Sequence, residues 1–486
     1  MTTTLPAAEA APARPAGPRP MTVALVLVLG GVMSALDQTV VNVALNRLSA
    51  EFGASLGTIQ WVVTGYSLAL GAVIGVSAWA VGRFGAKRLY LTAVAAFTAG
   101  SVLAGLAWNV ETLVAFRVVQ GLGGGMLMPV GMTILMRVAP PDRFGRLMST
   151  LGLAILVGPL AGPVLGGYLI DELSWRWMFY INLPVGLAVL VLAGRIFPAD
   201  TDQERRPLDV PGLLMLSPGL ALLIFAVTSG GEGGGFLKAH VLVPLLVSVV
   251  LLGAFVRRAL TAAHPLLNLR LFRQRTFAAG GGTLALFAAG YFGAMILLPL
   301  YFQVVRGESA TMAGALAVPW ALASGLTMQV AGRIVDRVAI GRYLPFAILL
   351  ALTGFTLFML QVGEDTPYWR LCLTMVLMGA GGGGTLMPVI TATTRNLPRA
   401  DTAAGSTTVN LINTTVGAVA MAVMAVLLSS LLPVAGGLQE LHGLTAAQHA
   451  GLAPSLADAF QHAYLMPMAL IALSIVPALF LPRTKP

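Results

Sequence analysis

A chain of 486 residues that is 57% apolar and only 10% charged is not an ordinary soluble protein, which carries roughly a quarter of its residues as charges. Its net charge of +10 could fit a nucleic-acid binder, but the bases gather in alternate connections between long apolar runs, which is the membrane pattern instead. The single cysteine, Cys372, excludes an intrachain disulfide.

In chain order, Met1 to Pro20 reads as a disordered Ala/Pro-rich tail without the apolar core of a signal peptide. Fourteen apolar spans follow, near 22–45, 58–80, 89–108, 112–136, 147–170, 178–197, 209–228, 240–259, 277–302, 312–332, 344–362, 370–393, 405–431 and 463–482. The runs are continuous rather than alternating and too long for barrel strands, so the expected class is an all-α polytopic membrane protein. Of 29 Lys and Arg, 23 fall in the tail and every second connection, five lie at the other side, and Arg117 lies within a span. Both termini are therefore expected in the cytoplasm.

The chain also echoes itself. GGGMLMPV at 123–130 returns as GGGGTLMPV at 381–389, and VGRFGAKR at 81–88 returns as GRIVDRVAIGR at 332–342. Two parallel six-helix halves follow, with a site between them, and spans seven and eight are extra. The expected layout is a tail at 1–20, a first bundle at 21–200, two extra helices at 201–262, a basic linker at 263–276 and a second bundle at 277–486. Leu432 to His462 reads as a long outer loop, where His442, His449 and His462 lack metal-ligand spacing.

Asp37 is the residue that most needs an explanation. A carboxylate in hydrocarbon costs ~2.5–3.5 kcal/mol even on the lenient insertion scale, so it calls for a use or a partner. At 1.5 Å per residue Asp37 lies ~24 Å up its span and Arg117 ~8 Å below the outer surface. In a core ~30 Å thick these are similar depths, so the two are expected to pair. Protonation of Asp37 would then release Arg117; the plainer alternative is a static pair that fixes helix packing. Ser34, Gln38 and Asn42 share an arc with Asp37, while Gln120, Gly121 and Gly124 share the face of Arg117.

The glycine run after Gln120 lacks the strand and the Gly-Lys-Ser/Thr of a phosphate loop, so it reads as a packing surface. Gly158, Pro159, Gly162, Pro163, Gly166 and Gly167 make a small-residue ridge on a helix bent by proline. In the second half Gln303, Asn410 and Asn413 are the main polar side chains, and no carboxylate lies deep in its spans. Trp61, Tyr66 and Tyr291 could line an aromatic pocket or merely pack. Neither a nucleophile–base pair nor a metal cluster supports an enzyme, and no soluble domain supports a sensor.

LDQTVVNVAL (36–45), LVAFRVVQGLGGG (113–125), GLAILVGPLAGPVLGG (152–167) and WRWMFYINLPVG (175–186) together resemble the fourteen-helix drug:proton antiporter branch of the major facilitator superfamily. The third stretch is similar to the antiporter motif of that branch. The loop signature after span two departs from the family pattern. Arg83, Gly85 and Lys87 fit it, but Gly82 stands where the family has aspartate, whereas the second copy keeps Asp336 and Arg337.

The resemblance implies two six-helix bundles plus two extra helices, alternating access, and Asp37 and Arg117 as proton-coupling positions. The substrate path would be lined by Gln38, Asn42, Trp61, Tyr66, Gln120, Tyr291, Gln303, Asn410 and Asn413, and Arg83, Gly85, Lys87, Asp336 and Arg337 would form a cytoplasmic gate. The reading is an exporter in the bacterial inner membrane, working as a monomer among membrane lipids. It would exchange protons for small lipophilic or cationic compounds, with no cofactor and no nucleic acid. A dedicated metabolite exporter or a lipid translocator on the same fold is the alternative.

Overall fold

The computed structural model describes residues 19–54, 56–200, 207–232, 238–395, 397–398, 401–433 and 446–484, and among them there are helices and no strand. The chain opens on α1 (Pro20–Phe52), which has proline where a helix needs no N–H partner. It stops at Gly53, whose left-handed φ of 62° turns its N–H back to Ser49. After the single turn α2 (Leu56–Ile59), the second predicted span is broken into α3 (Trp61–Ile74) and α4 (Ser77–Phe84), bent by 58°. The first half continues through α5 (Ala86–Gly105), α6 (Val110–Val138), α7 (Phe144–Glu172), α8 (Trp177–Tyr180) and α9 (Asn182–Ile196).

A hairpin of α10 (Val210–Glu232) and α11 (Ala239–Thr261) follows. The second half holds α12 (Arg275–Val304), α13 (Ala310–Leu316), α14 (Val318–Val335), α15 (Ile340–Met359), α16 (Tyr368–Thr394), α17 (Thr402–Leu431), α18 (Ala446–Leu473) and α19 (Ile475–Ala478).

Twelve of the described helices are long and apolar enough to cross a membrane, and the bent pair α3–α4 makes a thirteenth span. The fifth predicted span coincides with α7, a 29-residue helix that is not among those twelve. Spans six and ten each run as one span, Trp177–Ile196 and Met312–Val335, with helical backbone at Ile181 and Ala317. The last helix begins at Ala446 rather than near 463, so the described part of the supposed outer loop, 446–462, is helical. Its Ala-rich stretch has high helix propensity, which its polar residues disguise.

Each half packs around its own glycine run. A Cβ on Gly123 would lie 2.5 Å from Phe97 N and one on Gly125 2.5 Å from Leu70 O, so α6 beds directly on the backbones of α5 and α3. The echoed run does the same: Gly379 and Gly383 press on the carbonyls of Trp320 and Ser324 in α14, and Gly381 presses on Ala351 in α15. Close backbone approach is how helices gain dispersion energy where lipid removes any hydrophobic drive.

The halves meet through α7 against α14 and α6 against α17. The hydrogen bonds that join them cluster at the end bearing most of the bases. Thr133 Oγ1 and Ser406 Oγ lie 2.7 Å apart, Gln329 Nε2 donates to Ser149 O at 3.0 Å, and Gly145 N donates to Asp336 Oδ1 at 2.8 Å.

The extra hairpin lies across the seam, with α10 packed on both α3 and α17. Ser217 Oγ donates to Ala72 O at 2.6 Å. Asp209 clasps both ends of the hairpin to the linker, accepting from Arg258 Nε at 2.7 Å, Gly212 N at 3.0 Å and Leu266 N at 3.1 Å. Burial alone would raise the Asp209 carboxyl, but these donors outweigh it and hold the group below its ordinary value.

Candidate functional site

Two local features carry Arg117 to Asp37. Asn109 caps α6, its Oδ1 accepting from Thr112 N at 2.9 Å, which fixes where the helix starts and puts Arg117 about two turns in. The glycine run then draws α6 against α3 closely enough for the guanidinium to stack on the Tyr66 ring, 4.1 Å from its centroid. Arg117 Nε donates to Val62 O at 3.1 Å, a carbonyl near the first turn of α3. On the far side of α1 a Cβ on Gly158 would lie 2.5 Å from Ala35 O, so α7 pins α1, and Thr39 Oγ1 donates to Gly158 O at 2.9 Å.

The result is a sealed polar cluster. Asp37 is 2% exposed and Arg117 0%, and Arg117 Nη1 bonds Asp37 Oδ2 directly. Gln120 bridges the pair, accepting from Arg117 Nη1 and donating to Asp37 Oδ1, both at 2.8 Å. Asn182 Nδ2 donates to the same Oδ1 at 3.1 Å and to Ser101 Oγ at 2.9 Å. Ser34 Oγ and Tyr66 OH lie 3.2 Å apart.

A buried ion pair of this kind adds little net stability, because desolvation of two charges cancels much of their attraction. Removing either partner is what costs, since it strands a charge. The cluster therefore has two protonation forms, a neutral ion pair and a protonated acid beside a guanidinium that carries one net positive charge.

Asn182 and Ser101 were not singled out from the sequence. Asn182 stands in WRWMFYINLPVG as a lone amide in an apolar span, which is a usable signal; Ser101 offers none. The other predicted lining residues scatter. Gln38 is exposed and donates to Ser34 O at 3.3 Å, and the Asn42 side chain lies outside those described. Trp61 stacks on Phe225 of α10 at 5.9 Å, away from the acid. Tyr291 is buried among Phe287, Phe292, Trp320 and Phe355. Gln303 is exposed and turns back to Pro299 O. Asn410 Nδ2 reaches Met132 Sδ across the halves at 2.8 Å, and Asn413 Oδ1 is buried without a partner. On α7, Gly162 meets Thr39 and Gly166 meets Val40 of α1, Gly167 faces open space, and the rings of Pro159 and Pro163 lie outside the described side chains.

The predicted gate residues divide between two jobs. Gly85 has φ 90° and presses against Asp200, which accepts from Lys87 N at 3.0 Å and Arg88 N at 3.1 Å; Lys87 Nζ donates to Gly194 O and Phe197 O at 2.7 and 2.9 Å. These contacts stay inside the first half. Asp336 is the one that crosses, capping α7 through Gly145 N and Arg146 N at 2.8 and 3.1 Å. Burial pushes its carboxyl up, against the pull of those two N–H groups and of Arg395, with Asp142 adding a smaller push. Arg83 and Arg337 are exposed. At the position that echoes Asp336, Gly82 instead borders a cavity of about 880 Å³, lined also by Arg137, Asp200, Asp209, His264 and Asp401.

The chain matches the Major Facilitator Superfamily profile over residues 27–422. It is 37% identical over 483 residues to the multidrug resistance protein B homolog of Mycobacterium tuberculosis (strain ATCC 25618 / H37Rv), covering 95% of this chain and 89% of that one. It is 30% identical over 402 residues to the multidrug export protein EmrB of Escherichia coli (strain K12), covering 82% and 78%. Among solved structures it resembles the proton:xylose symporter XylE, at TM-score 0.59 and 16% identity over 94% of each chain. It also resembles the human organic anion transporter MFSD10, at TM-score 0.61 and 13% identity over 93% and 100%.

Proposed function

Because the chain belongs to the major facilitator superfamily and is a transporter rather than an enzyme, we propose that it exports drug-like lipophilic or cationic compounds across the bacterial inner membrane in exchange for protons. Relatives at 30–37% identity named for multidrug resistance or export support the direction and the substrate class. The observation that carries the coupling is Asp37: a carboxylate 2% exposed, midway along α1 and bound to Arg117, Gln120 and Asn182. One deep carboxylate favours monovalent or neutral compounds over dications.

With the basic end in the cytoplasm, the inter-half hydrogen bonds close the cytoplasmic side, so protons would reach Asp37 from outside. Protonation cancels the charge that holds Arg117. The guanidinium then keeps Gln120 Oε1 and Val62 O as acceptors, so the switch leaves it partly paired. The loosened grip of α6 on α1 is the change that the rocking of the halves would read. Substrate arriving from the cytoplasm would favour the ionised acid and expel the proton inward.

The test is proton release from purified protein in weak buffer on adding tetraphenylphosphonium, ethidium or a neutral drug, beside Asp37→Asn. Release that vanishes in the variant supports exchange at Asp37. Binding without release in either protein overturns the coupling and leaves uniport or lipid translocation.

A further inference from the structure

We propose that Asn182 is a positioning residue that sets the pH at which Asp37 exchanges its proton; the inference rests on the proton-coupled reading above. Three donors converge on the carboxylate. Arg117 occupies Oδ2, while Gln120 and Asn182 share Oδ1 at 2.8 and 3.1 Å. A carboxylate oxygen has two lone-pair directions, so Oδ1 is filled while both amides point at it. Proton and amide donors therefore compete for the same acid, and every donor that stays favours the charged form.

Asn182 is the donor best placed to yield. Arg117 and Gln120 are only three residues apart on one continuous helix and are bonded to each other at 2.8 Å. Asn182 instead comes from a different span, Trp177–Ile196, and makes the longer bond to Oδ1. Its orientation is fixed from behind. The same Nδ2 donates to Ser101 Oγ, and Ser101 in turn donates to Phe179 O at 2.9 Å, at the end of α8. The chain from Phe179 through Ser101 and Asn182 thus ties the Trp177–Ile196 span and α5 to the acid. Movement of that span relative to α1 withdraws one donor and frees one lone pair.

The other groups around the acid leave this assignment distinct. Arg117 from α6 and Tyr66 from α3 are the charged and titratable side chains facing it among those described. Elements α5, α8 and α9 contribute Ser101, Phe179 and Asn182, none of which titrates, and α7 presents Gly158 and Gly162 to α1.

The experiment is an infrared pH titration of protein reconstituted in lipid, following the carbonyl band of the protonated acid that Asp37→Asn removes. In Asn182→Leu, close in volume and without a donor, the midpoint should rise by about one pH unit, a tenfold change in proton concentration and the equivalent of one charge-assisted hydrogen bond. Ser101→Ala leaves the acid untouched and should shift the midpoint the same way by less. A midpoint unmoved in both variants, with thermal stability lowered, gives Asn182 a packing role only and overturns the inference. A wild-type acid that never titrates between pH 4 and 10 sinks the proton-coupled reading itself, a result separable from the first.

Discussion

Asp336→Ala should open the basic end of the transporter. The carboxylate caps α7 across the two halves, through Gly145 N at 2.8 Å and Arg146 N at 3.1 Å. Loss of an N-cap acceptor costs about 1–2 kcal/mol at the upper end of the usual range. Here that loss falls on one conformation, because the cap exists only while the halves touch. The ratio of closed to open molecules should fall about 5- to 30-fold. Asp336→Asn sheds the cost of burying a charge but keeps one acceptor oxygen for the two N–H groups and sets its NH2 against the other, so it should open less than Asp336→Ala.

The pH dependence has a definite sign. Because burial raises the Asp336 carboxyl in the closed form, acidification favours closure. The gain is complete below the ordinary carboxylate value of 3.8 and is lost as pH rises through the raised one; Asp336→Asn should lack it. Spin labels at Arg143→Cys and Val338→Cys, both exposed and on opposite halves, would report the distance in a Cys372→Ala background. Wild-type distances in Asp336→Ala would refute the clasp. Opening in Asp336→Asn as large as in Asp336→Ala would show that a single retained acceptor does not hold the end shut.

Arg117→Gln should destabilise the folded protein by about 3–5 kcal/mol near neutral pH, since it strands the Asp37 charge. Adding Asp37→Asn should recover part of that loss in detergent unfolding, and a double variant no better than the single one would contradict the pairing. Gly158→Ala forces a methyl to within 2.5 Å of Ala35 O and should cost about 1–3 kcal/mol, whereas Gly167→Ala meets nothing within 4 Å and should gain up to about 1 kcal/mol of helix propensity. Thermal melts of the two variants should therefore move in opposite directions. Asp209→Ala should free the linker, read as faster trypsin cleavage at Arg270 or Arg273. Its carboxyl is held below the ordinary value, so the wild-type clasp should be indifferent to pH from 8 down to 5 and fail only as pH falls through that lowered value.

What could be read from sequence was whatever a helix repeats or a bilayer forbids. Asp37 and Arg117 stood out because charge is costly in apolar runs, and counting rise per residue put them at one depth. The two halves were legible because both glycine runs serve the same close packing. Convergence in space was not legible. Asn182 is 145 residues from Asp37, and nothing local marks Ser101 as its support. Helix ends are the least certain part of any such reading, as the start of α18 at Ala446 shows. Lys87 and Gly85 sat in a gate-like motif, yet Asp200, well beyond that loop, engages them within their own half.

The hairpin of α10 and α11 bears on how a solute dissolved in lipid could reach the transport path. Two lateral seams join the halves, one of α3 against α17 and one of α7 against α14. The first is covered by α10, stitched down by Ser217 and clasped at its basic end by Asp209. The second carries no such roof among the described residues. A hydrophobic compound diffusing in the bilayer therefore meets a further hairpin over one flank and only the α7–α14 contact itself on the other, so the protein is one-sided within the plane of the membrane as well as across it.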